Sequence, residues 1–182
     1  MTDKISDNAN ISGKFDVEIW RDGKQIDNFS THNAITAEGK THILKLLLDN
    51  SEAKKNTWYV GLQLANNTVD ATWGAGDTNQ FTATGDIVED DGTIFVESGR
   101  QEYVDDAVEG TGSGPYSIDN DTTKATYTVD TGQSTTVYGA FLVSNSTYRN
   151  TTAPLLCVAN FSAGKALSAG DEIKVKYTIQ IS

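Results

Sequence analysis

Lys14-Phe15-Asp16-Val17-Glu18-Ile19-Trp20, followed at once by Arg21-Asp22-Gly23-Lys24, is the stretch that decides the fold class. Phe15, Val17 and Ile19 alternate with Asp16 and Glu18, the period-two pattern of a strand with one buried and one wet face. Asp22-Gly23 suits the positive φ angles of a tight primed turn. The chain then returns through residues 24–29, carrying Ile26 and Phe29, and the stretch reads as a β-hairpin.

Outward from this hairpin the same pattern recurs to the C-terminus. In residues 172–181, Ile173, Val175, Tyr177, Ile179 and Ile181 share one face, and Lys174 and Lys176 the other. Residues 57–64, 125–129, 134–144 and 154–161 are further strands rich in aromatic and β-branched residues. Asp130-Thr131-Gly132, residues 145–150 and residues 164–171 separate the later ones. Weaker strand signals lie at 80–84 and 92–97. One helix interrupts the series after Thr36, which suits an N-cap, with Glu38 in its first turn. Its stripe Ile43, Leu44, Leu47, Leu48 predicts an apolar face lying on a sheet. The whole reads as a mainly β chain, an antiparallel β-sandwich of jelly-roll type with one early α-helix. Residues 1–12 read as a flexible polar arm and 13–182 as a single domain. Within it, 65–123 is an acidic long-loop region whose only Lys or Arg is Arg100.

The chain has 182 residues, with 14 Lys+Arg against 25 Asp+Glu and a formal net charge of −11. That balance argues against nucleic acid, whose affinity comes from basic groups at phosphates, and against an anionic membrane surface. No apolar stretch is long enough for a spanning helix. The N-terminal residues lack the apolar core of a secretory signal, so the expectation is a product made as a soluble intracellular protein without a signal peptide.

Chemistry is sparse. The single cysteine, Cys157, lies in an apolar run and reads as a core residue. His32 and His42 carry no catalytic signature, and one cysteine with two separated histidines is no zinc set. No catalytic residue, metal ligand or cofactor is assigned. Glu89-Asp90-Asp91-Gly92 and Asp119-Asn120-Asp121 offer oxygen ligands for calcium, but without EF-hand spacing. Trp73, placed on a loop, is the candidate exposed ligand-contact residue, in position to stack on a sugar.

Val17-Glu18-Ile19-Trp20-Arg21-Asp22-Gly23-Lys24, then His32-Asn33-Ala34-Ile35-Thr36-Ala37-Glu38-Gly39-Lys40 before a Leu-rich helix, then Trp58-Tyr59-Val60-Gly61-Leu62, resemble small virion proteins of short-tailed marine bacteriophages. Residues 137–144 and 167–179 are similar to the closing strands of that family. The resemblance implies a non-enzymatic structural role in the virion, as a capsid decoration (cement) protein on the outer surface of the head shell. Its partner would be the major capsid protein, with the protein itself a homo-oligomer. Under that reading Met1, Lys4, Ile5 and Ile11 are the candidate capsid-docking residues of the arm. The alternatives are a tail, neck or head-fibre component contacting host surface glycans, and a stand-alone carbohydrate-binding module.

Overall fold

The computed structural model describes residues 10–49, 53–74, 86–111 and 114–182. Strands β1 (Ile11–Arg21) and β2 (Lys24–His32) form the hairpin. Asp22 and Gly23 turn it with φ of 50° and 72°, the left-handed values that a primed turn demands. There follow β3 (Ala34–Ile35), α1 (Ala37–Leu44) with a π-helical turn at Lys45–Asp49, β4 (Tyr59–Gln63), β5 (Gln101–Glu102), β6 (Tyr116–Asp119) and β7 (Ala125–Thr128). The chain ends with β8 (Ser134–Val143), β9 (Leu155–Ser168) and β10 (Glu172–Ile181).

All strand pairings are antiparallel, in two five-stranded sheets. In the first the order is β2-β1-β10-β6, with β7 also paired to β10; in the second it is β3-β9-β8-β4-β5. The first and last long strands lie side by side, Phe15 opposite Tyr177 and Val17 opposite Val175. These four side chains point inward and meet Val60, Leu62, Leu142, Cys157 and Ala159 of the second sheet in one shared core. Burying the alternate faces of both sheets against each other supplies the hydrophobic driving force.

Several expectations are corrected. The first strand begins at Ile11, not Lys14, because Asn10 and Ser182 already exchange backbone hydrogen bonds at 2.7 and 3.0 Å. Ile11 is therefore a strand residue opposite Ile181 rather than part of an arm; Met1, Lys4 and Ile5 lie outside the described residues. Strand β9 runs on to Ser168, through what the glycines at 164 and 170 made look like one long turn. Only Ala169-Gly170 turns, with Gly170 at φ 82°. Residues 92–97 form no strand, only an isolated bridge from Phe95 to Val129, and residues 80–84 lie outside the described residues.

Trp73 is also corrected. It is 8% exposed and packs with Ile87, Phe141, Val143, Leu155 and Val158 on the outer side of the second sheet. The acidic stretch folds back over that sheet and needs a large apolar side chain to seal it, so the indole is inside.

Candidate functional site

The described residues hold no group of three or more His, Cys, Asp and Glu placed to share a metal ion, and no helix long and apolar enough to cross a membrane. Four carboxylates of the acidic stretch, Glu89, Asp90, Asp119 and Asp121, are engaged internally. Glu89 accepts two hydrogen bonds of 2.8 Å from Arg100 and one of 2.7 Å from the Arg149 N–H. Asp90 accepts from the N–H groups of Thr93, Ile94 and Phe95 at 3.1–3.3 Å. Asp119 and Asp121 face Lys176 at 2.9 and 3.6 Å. These bonds fasten irregular chain to the sheets.

Cys157 is buried between β8 and β3, and burial pushes its thiol up to about 12. An un-ionised, enclosed thiol is no nucleophile. His32 is exposed at the end of β2, beside a shallow depression that also contains Asp16 and Asp119.

The feature that stands out is the end of the sandwich built around α1. Thr36 is fully buried; its hydroxyl accepts from the Gly39 N–H at 2.9 Å and donates to the Leu155 carbonyl. Glu38 accepts from the Leu155 N–H at 2.8 Å, fixing the first turn to the start of β9. At Gly39 the helix lies so close to the Leu156 carbonyl that any Cβ would collide with it. His42 is buried, edge-on to Trp58 with ring centroids 5.5 Å apart.

The inward face is therefore Gly39, His42 and Ile43, an i, i+3, i+4 set, with Leu46, 37% exposed, at the edge of the cavity beneath. Sequence reasoning placed the stripe on Ile43, Leu44, Leu47 and Leu48, and of these only Ile43 packs on the core. Leu44, Leu47 and Leu48 are 57%, 73% and 82% exposed. A glycine and a histidine do not register in an apolar count, and the wider π-helical turn then carries the last leucines outward. The signal available was Gly39, which lets a helix approach another backbone closely.

Between this inward face, residues 54–58 and the ends of β6 and β10 lies a cavity of about 320 Å³. Trp58, Tyr103, Leu142, Leu156 and Ile179 contribute to its apolar wall. Its lining carries Lys54 and Lys55 against Asp105, and along the sequence residues 40–55 hold four lysines to two acids in a chain of net −11.

No protein-family model matches the chain. No curated protein matches it either.

Proposed function

We propose that the protein is a non-enzymatic bacteriophage virion component, a capsid decoration protein that binds the outer surface of the head shell as a homo-oligomer. The observation that carries this reading is the exposed leucine end of α1 and its π-helical turn, where Leu44, Leu47 and Leu48 stand out into solvent on an acidic chain. Apolar side chains clustered on a rigid frame are a docking surface more often than an accident. The lysines around them direct the contact to an acidic patch of the partner, and the net charge of −11 disfavours packaged DNA. The resemblance of residues 17–24, 32–40 and 58–62 to small phage virion proteins supplies the partner, the major capsid protein. We read the two sheets as a sandwich of jelly-roll type, supported by the adjacency of β1 and β10. Burial of Trp73 removes the surface aromatic on which the glycan-binding alternatives leaned.

Co-sedimentation with tail-free capsids stripped of accessory proteins tests the proposal, with isolated tails as control. The expected result is saturable binding at a fixed ratio to the shell subunit, reduced at least tenfold by Leu47→Asp/Leu48→Asp. Both side chains are exposed, so that variant retains wild-type stability to within about 0.5 kcal/mol. Binding only to tails, or to neither particle, overturns it. Deleting residues 1–9, which leaves β1 whole, measures the share of Met1, Lys4 and Ile5.

A further inference from the structure

The cavity beneath α1 has properties that holding the helix in place does not require. Its volume of about 320 Å³ falls at the lower end of pockets that enclose small molecules. Its wall includes Ile43, Leu142, Leu156 and Ile179 together with two tyrosines, Tyr103 and Tyr177; the Tyr177 hydroxyl accepts from Asn33 at 3.2 Å, whereas that of Tyr103 is unmatched. Tyr103 is 9% exposed, and its hydroxyl is buried with no hydrogen-bond partner. Leaving a buried hydroxyl unbonded is unfavourable, and a ligand oxygen placed there would relieve the cost. Burial, then the charges of Asp119, Asp105 and Asp106, push the phenol well above its usual range. It therefore stays protonated, a donor in search of an acceptor.

The lining also carries polar and charged groups. The Tyr103 N–H donates to the Trp58 carbonyl at 2.8 Å, which continues the β4–β5 ladder outward. Besides Trp58 and Tyr103, the wall includes Asn56, Asp105, Lys55 and Lys54, of which Lys54, Asn56 and Asp105 are exposed and Lys55 is half-buried. Lys124, Lys165, Lys174 and Lys176 each form ion pairs, whereas Lys54 and Lys55 have none among the described residues. The lining itself holds two lysines against one carboxylate, Asp105, with Asp106 and Asp119 near enough to act on Tyr103.

We infer that this cavity binds a small amphiphilic carboxylate, its apolar body between α1 and the sheets, an oxygen accepting from Tyr103, and its charge held by Lys54 and Lys55. The inference goes beyond particle binding and does not depend on it, since the leucines of that surface lie outside the cavity wall, Leu46 apart.

Calorimetric titration of the full chain with octanoate and with octylammonium, both below their micellar concentrations, tests the site. The expected result is one octanoate per chain, with octylammonium at least tenfold weaker. Tyr103→Phe keeps the ring and weakens octanoate roughly three- to tenfold, the share of one hydrogen bond. Lys54→Glu/Lys55→Glu, on the rim, weakens it by a similar factor and narrows the preference over octylammonium. Leu47→Lys/Leu48→Lys leaves octanoate affinity unchanged. Absence of octanoate binding at millimolar concentration overturns the inference. So do equal affinity for the two probes, indifference to either the Tyr103 or the lysine change, and loss of binding in the Leu47/Leu48 variant. Circular dichroism confirms that each variant is folded, and co-sedimentation of the same variants with capsids reports on the particle-binding reading separately.

Discussion

Glu89 and Arg100 are 1% and 3% exposed and meet through two hydrogen bonds of 2.8 Å. Burial pushes the Glu89 carboxyl up, while Arg100 and the Arg149 N–H pull it down. Arg100 also donates to the Asn145 carbonyl at 3.0 Å, so this one side chain joins the acidic stretch to the β8–β9 connection. Arg100→Met leaves a carboxylate buried without its partner and should cost about 3–5 kcal/mol in chemical denaturation. Replacing Glu89 with Gln in the same chain should recover part of that loss. Asp171 offers a test by pH. Arg21, and with it the Ser168 N–H, hold its carboxyl below the usual aspartate range, with bonds of 2.7, 2.6 and 2.8 Å. A carboxyl depressed in the folded state stabilises above its unfolded pKa and loses that contribution as pH falls through the folded value. Asp171→Asn should therefore lower Tm at pH 7, and the gap to wild type should begin to narrow below about pH 4, where unfolded aspartate protonates, and close only once pH is below the depressed folded value. A gap that persists into acid would mean that the Asp171 bonds act as neutral ones.

At the scale of elements, α1 is held by its first turn rather than by its leucines. Thr36→Ala removes both the N-cap acceptor for Gly39 and the donor to Leu155. The expected cost is about 1–2 kcal/mol, largely recovered by Thr36→Ser, with chemical denaturation as the measurement. The N-cap was legible in the sequence because capping is a local matter of residue type. The buried face was not, because its members Gly39 and His42 are chosen by what β9 and Trp58 present to them. The same division runs along the chain. Strands β1, β8 and β10 declare themselves by alternation or by apolar runs flanked by turns. Short strands such as β3, β5 and β6 carry no pattern of their own and exist because a neighbour offers an edge. Trp73 and the Glu89–Arg100 pair could be read as irregular and acidic from sequence. That they face inward depends on chain far along the sequence, at Asn145 and Arg149 for the pair, 45 and 60 residues on, and at Phe141, Val143 and Leu155 for Trp73. The cavity is legible in neither way, since its wall draws on α1 and on strands from both sheets.

For the whole molecule the question is whether two sheets with separate hydrogen-bond ladders behave as one cooperative unit. Their inner faces share a core running from Phe15 and Tyr177 to Val60 and Cys157. Polar clamps cross between them as well. The Tyr127 hydroxyl, from β7 in the first sheet, donates to the Val60 carbonyl of β4 and accepts from the Gln101 N–H at 3.0 Å. Near β2, Thr31 donates to the Asn160 carbonyl and Lys165 to Asp27, both at 2.8 Å, beside the edge-on rings of Phe29 and Phe161. Neither sheet can leave without exposing the other's apolar face and breaking these bonds, so unfolding should be a single transition. Tryptophans report on each half: Trp20 lies in β1, and Trp58 immediately precedes β4. In Trp58→Phe/Trp73→Phe only Trp20 emits; in Trp20→Phe/Trp73→Phe only Trp58 does. Within each variant, tryptophan emission and far-ultraviolet circular dichroism should share one denaturant midpoint. An emission change that precedes the loss of dichroism in either variant would show the two sheets parting separately. Tyr127→Phe should shift the common midpoint by the equivalent of about 1–3 kcal/mol without splitting it, because it leaves two backbone groups unpaired and the shared core intact.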